Sequence, residues 1–131
     1  MCLEINNIKR SKGRTIFRRT YWKVLRIMPD GYYNTLYNRM KIDFGKTYEI
    51  EDKEFHIEPG LYSDYKLEGG AFHLFKNRKD AECVAWDRES PISHMLVVKA
   101  IVPAGTPYVK GKYLGYDSLA VKKVRYEKTV R

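Results

Sequence analysis

Apolar, β-branched and aromatic runs alternate with short turn signals along most of this chain, and one segment alone carries a helical pattern. The clearest run, Leu96 to Val102, ends at Pro103-Ala104-Gly105, where proline removes a ladder donor and glycine permits a turn. A run of this kind, broken only by Lys99, predicts a buried strand. Thr15 to Ile27, rich in Ile, Phe, Thr, Tyr, Trp and Val, stops at Pro29-Asp30-Gly31, and a second strand from Tyr32 to Arg39 would complete a hairpin. A short strand is predicted around Lys46 to Ile50, followed by a charged turn or surface loop, Glu51-Asp52-Lys53-Glu54. Leu61 to Leu67 and Ala71 to Phe75 read as two further strands across Glu68-Gly69-Gly70, with Tyr62, Tyr65, Phe72 and Phe75 as candidates for core or groove. After the long strand come a short one at Thr106 to Val109, a Gly/Lys/Tyr loop, and a last strand from Leu119 to Glu127.

The helix is predicted over about Arg78 to Asp87. Asn77 can cap its first turn, Asp80 places a carboxylate near its N-terminus, and Ala81, Val84 and Ala85 fall at helical spacing. One helix against about six to seven strands gives an α+β domain, a mostly antiparallel sheet in the form of a partly open barrel or roll. At 131 residues, 44% of them hydrophobic, the chain suffices for one core. Residues 1–14 read as a basic arm with little to bury, and residues 15–131 as a single domain. No run approaches the roughly 18 apolar residues of a membrane span, and no secretory leader is evident, so a soluble, cytoplasmic protein without a membrane partner is expected. Cys2 and Cys83 are too few and too far apart for a disulfide framework or a metal knuckle.

Charge changes the picture, because the net +9 is concentrated at the two ends. Residues 1–26 hold eight basic groups against Glu4 alone, a net +7; residues 110–131 carry +5, and the middle carries −3. If first and last strands lay side by side, these segments would merge into one basic face. Within them, basic residues interleave with rings that can stack on unpaired bases while cations neutralise phosphates. Arg14, Arg18, Arg19, Lys23, Lys122, Lys123 and Arg125 are therefore the expected contacts to an anionic partner, with Tyr21, Trp22, Tyr113 and Tyr116 as stacking or interface residues. That partner is single-stranded nucleic acid or an acidic protein surface. Eleven tyrosines and two tryptophans exceed what a small core needs, which favours an interface as well. Exposed strand edges leave a homodimer open.

A resemblance adds to this reading. Met1-Cys2-Leu3, Tyr21-Trp22-Lys23-Val24-Leu25, Gly45-Lys46-Thr47-Tyr48, Gly70-Ala71-Phe72-His73-Leu74-Phe75 with Asp80-Ala81, and Val97-Val98-Lys99-Ala100-Ile101-Val102-Pro103-Ala104-Gly105-Thr106-Pro107-Tyr108 follow one another in that order. As a set they resemble a group of small uncharacterised proteins from bacteriophages and gut bacteria. The resemblance implies a compact domain of phage or mobile-element type, with a host protein as an alternative partner to be inhibited or modulated. It carries over no catalytic residue, and Ala100 stands where similar proteins often have cysteine.

Candidate chemistry is sparse. His73, between Phe72 and Phe75 near a Gly-Gly turn, is the histidine placed where a base or ligand contact could sit, although a satisfied sheet histidine is the commoner outcome. His56 and His94 have no acid, cysteine or second histidine at metal-ligand spacing, so no metal is expected. Gly69-Gly70 lacks the context of a phosphate-cradling loop, and no cofactor is expected. An enzymatic alternative comes from the order of Phe17-Arg18-Arg19-Thr20, the helix holding Ala81 to Trp86, and Val102-Pro103-Ala104-Gly105-Thr106, which is loosely similar to ADP-ribosyltransferase folds. That similarity would give Arg18 and Glu127 roles toward NAD; a non-catalytic binding protein is the leading expectation.

Overall fold

The computed structural model describes residues 3–36, 39–60, 63, 65–67 and 69–129, with Ile8 and Lys9 as backbone only. Its frame is the pairing of β3 (Arg19–Ile27) with β10 (His94–Val102), antiparallel from His94↔Ile27 to Val102↔Arg19. β13 (Lys123–Lys128) pairs the other edge of β10, and β6 (Thr47–Glu49) pairs β13. Beyond β3 the sheet continues through β9 (Phe72–Phe75), β12 (Tyr116–Val121), β11 (Pro107–Tyr113), β1 (Leu3–Ile5), β8 (Tyr65–Leu67) and β7 (Glu58–Pro59). β2 (Lys12–Arg14) also lies on β11, β4 (Tyr33–Thr35) on β3, and β5 (Lys41–Ile42) on β4.

The class is α+β with a mostly antiparallel sheet, as expected, but the described residues hold thirteen strands in one open sheet rather than six or seven. The sheet curls. Val98 and Val102 of β10 share one core with Leu119 and Val121 of β12, three strands away, which a flat sheet would hold roughly 15 Å apart. Tyr126 and Leu25 close the same core. The opposite face of β3 and β10 is covered by α2 (Arg78–Arg88), whose Ala81 and Val84 pack with Val24 and Phe75. Both faces of β10 are thus covered over much of its length, which fits its mostly apolar run, with Lys99 half-buried within it. Asn77 precedes α2 in extended conformation, but its side chain caps no amide and donates instead to the Asp80 carboxylate at 3.4 Å.

Five expectations need correction. The segment read as an arm with little to bury forms β1, α1 (Ile8–Ser11) and β2, with Leu3 and Ile5 fully enclosed between the β8 and β11 side of the sheet. The two strands flanking Gly69-Gly70 do not pair with each other: β8 pairs β1 and β7, whereas β9 pairs β12 and β3; Tyr62 lies outside the described residues. The Gly/Lys/Tyr loop is a hairpin, β11 to β12, turning at Leu114 and Gly115 with φ of 51° and 82°. Leucine at positive φ is uncommon, so the turn had no visible signal. Finally, the last strand is broken at Lys122 into β12 and β13, and the first and last strands are not neighbours, since β1 and β2 lie on β11 while β3 and β13 flank β10.

Candidate functional site

The basic residues singled out in the sequence divide into three groups. Arg14, Arg18 and Arg19 are exposed at the connection from β2 to β3. Lys23 and Lys122 turn inward. Lys23 donates to the main-chain carbonyl of His73 at 2.8 Å, and Lys122, 1% exposed, donates to the carbonyl of Gly70 while its ammonium sits 4.7 Å from the Phe55 ring centre. Lys123 and Arg125 are partly buried on β13 and face acids, Glu49 at 3.7 Å and Glu127 at 2.8 Å. The two charged ends therefore meet only in part: Lys122, Lys123 and Arg125 are enclosed or balanced by acids, whereas β2, carrying the exposed Lys12 and Arg14, pairs with β11, which carries the exposed Lys110.

The connection from β2 to β3 is a mounted loop. The Thr15 hydroxyl donates to the Pro103 carbonyl at 2.6 Å and accepts from the Thr106 amide at 2.9 Å. The main chain of Thr15 adds two bonds, Thr15 N–H to the Thr106 carbonyl and Gly105 N–H to the Thr15 carbonyl. Arg14 reaches the Gly105 carbonyl at 3.2 Å. Beyond this clamp Ile16 is 80% exposed and Phe17 69% exposed, beside Arg18 and Arg19. A chain that buried Phe17 would bring roughly 2 kcal/mol of stability; here the ring faces water, next in the chain to the exposed Arg18 and Arg19.

A shallow cleft of about 120 Å³ continues the basic face. It is lined by Tyr21, Lys76, Lys110 and Ser118, with Asp117 tied to Lys112 at 3.0 Å. Tyr21 links loop and cleft: burial raises its hydroxyl above the usual tyrosine range, and the charge of Arg19 opposes that rise. The ammonium of Lys110 lies 5.6 Å from the Tyr108 ring centre. Lys76 and Lys110 were not singled out in the sequence, because each is a lone lysine whose position follows only from the β9, β11 and β12 pairing.

The remaining aromatic candidates belong to the interior. Trp22 and Tyr116 are partly buried against Phe75, Val24 and Val84, and Tyr113, 5% exposed, accepts from Arg88 at 3.0 Å. The Arg78 guanidinium lies 5.1 Å from the Trp22 ring centre.

A larger cavity of about 480 Å³ opens where β3 and β9 part company. The two strands share only the pair Trp22↔Phe75, and from Leu25 onward β3 is paired by β4 instead. Lys23 occupies this seam and holds the His73 carbonyl that a continued ladder would have used. Lys23 as a residue is partly buried, yet its ammonium is surrounded by protein, and burial lowers it to about 8. His73 is 6% exposed, and neither ring nitrogen has a hydrogen-bond partner. Burial, with the Lys23 charge beside it, holds the imidazole down to about 3, so it is neutral at physiological pH.

Each of the other histidines does face an acid: His56 Nε2 lies 2.7 Å from Asp52 and His94 Nδ1 lies 2.7 Å from Glu89, both at the surface. Among the described residues no group of three or more His, Cys, Asp or Glu could hold a metal, and no helix is long and apolar enough to cross a membrane. Arg18 and Glu127 are not brought together. Lys99 pairs with both Trp22 and Glu127, which leaves Arg18 four residues, roughly 13 Å, farther along the sheet. Comparison with protein-family models, with curated proteins and with solved structures finds no match.

Proposed function

We propose that this protein is a non-catalytic binding module that docks single-stranded nucleic acid through the loop of Arg14, Phe17, Arg18 and Arg19 and the adjoining cleft of Tyr21, Lys76 and Lys110. The observation that carries the reading is the exposure of Phe17 among arginines on a loop whose base is fixed by the Thr15 clamp. A loop fixed at its base loses less entropy on docking, and one base on an aromatic face is worth about 1–3 kcal/mol. Guanidinium groups beside it neutralise phosphates and release counterions. An unpaired strand supplies both a free base face and flanking charge, whereas an acidic protein surface supplies only the charge.

The test is fluorescence anisotropy of labelled single-stranded RNA and DNA with the full chain at two salt concentrations, beside Phe17→Ala and an Arg18→Ala, Arg19→Ala double variant. Micromolar or tighter binding that weakens steeply with salt and is lost in both variants supports the reading. Absence of binding at low salt overturns it and directs the same loop toward an acidic protein.

A further inference from the structure

The seam between β3 and β9 holds the one described histidine that is buried without a partner, and it sits beside the partly buried Lys23, which lines the same cavity. Burying a polar group without a hydrogen bond is costly, and desolvating a cation costs more. Both costs disappear if a ligand supplies the missing partners. The cavity has the size of an ordinary small-molecule site.

We propose that this cavity is a binding site for a small organic monoanion, a carboxylate carried on an aromatic or branched apolar body. Lys23 uses one ammonium hydrogen on the His73 carbonyl, which leaves two for a carboxylate. The neutral imidazole of His73 carries one N–H that can serve the second carboxylate oxygen and one bare nitrogen that can accept a ligand hydroxyl. The walls suit the body: Val24, Leu36, Met40, Phe72 and Phe75 surround it. Charge narrows the choice. Among the described residues Lys23 is the only cation in the lining, and the Glu49 carboxylate there is already held by Lys53 and Lys123, so the one ammonium matches a single carboxylate better than a phosphate dianion or a polyanionic chain. The site is thus separate from the nucleic-acid face and does not depend on it.

The experiment titrates benzoate, salicylate and 4-methylpentanoate, each beside its uncharged amide, into the full-length protein at neutral pH by ligand-observed NMR and calorimetry. At least one carboxylate is expected to bind saturably and at least tenfold more tightly than its amide. Lys23→Met should erase that preference. Leu36→Trp, which fills the cavity and leaves both polar groups in place, should abolish binding of carboxylate and amide alike. The Arg18→Ala, Arg19→Ala variant should bind the carboxylate as wild type does, so failure of one site is distinguishable from failure of the other. Thermal melts establish that each variant folds, and Lys23→Gln replaces Lys23→Met if the latter does not. No carboxylate preference in wild type, or a preference that survives both substitutions, overturns the proposal.

Discussion

Lys23 bridges a gap in the sheet to donate to the main-chain carbonyl of His73 at 2.8 Å, where strand pairing between β3 and β9 has stopped. The bond does the work of a ladder hydrogen bond, but from a charged side chain inside the protein. Its cost shows as a lowered lysine pKa, and removing the charge should therefore stabilise the fold.

Lys23 falls to about 8 in the folded protein from an ordinary 10.5, so the folded state disfavours its proton. Below pH 8 the full penalty applies, and it is relieved as pH rises from 8 to 10.5, by on the order of 3 kcal/mol. Lys23→Met should gain about 1–2 kcal/mol at pH 7, after the loss of the bond to His73. Urea denaturation at pH 7 and pH 10 checks this: the wild-type midpoint gains on the variant as pH rises.

His73 behaves in the acid range. Its folded value of about 3 lies below the ordinary 6.5, so its contribution is complete above pH 6.5 and is lost progressively as pH falls toward 3. The loss approaches roughly 5 kcal/mol at the low end. Lys23 and Glu49 face the same cavity, and both stay in place in His73→Gln. That variant should lose less stability than wild type between pH 7 and pH 4 by thermal or urea denaturation.

Thr15 fixes the loop through two side-chain bonds, and Thr15→Val keeps its shape while removing both. The Thr106 amide is then left buried without a partner, at a cost of about 1–3 kcal/mol. Phe17→Ala, by contrast, removes an exposed ring and should change stability by less than about 0.5 kcal/mol. Oligonucleotide affinity should respond in the opposite order, falling about tenfold or more for Phe17→Ala.

The N-terminal segment is part of the core, so Leu3→Ala should cost about 2–5 kcal/mol. Gly111→Ala should be as damaging, because a methyl group there would strike the Glu4 carbonyl and the Leu3 side chain across the β1–β11 pairing. Chemical denaturation of both variants checks the placement of β1.

Long elements were legible in the sequence because their signal is local. The run before Pro103 and the periodicity of Ala81, Val84 and Ala85 place β10 and α2 to within two residues. The glycine at position 31, with φ of 86°, confirms the turn between β3 and β4. Short strands such as β1 and β7 carry no periodicity and exist only because a longer neighbour offers an edge. The same reasoning applies to the site. Arg14, Arg18 and Arg19 could be read from charge alone, but the inward turn of Lys23 and Lys122 follows from strand register and a break in pairing, which composition does not express.

The most direct measurement is photocrosslinking of a bromouridine-substituted single-stranded oligonucleotide to the full chain, followed by mapping of the modified residue by mass spectrometry. The account predicts a principal crosslink at Phe17, with a second at Tyr21, both suppressed by high salt. A crosslink confined to the β13 face around Lys123 and Arg125, or none under conditions of measurable binding, would contradict it.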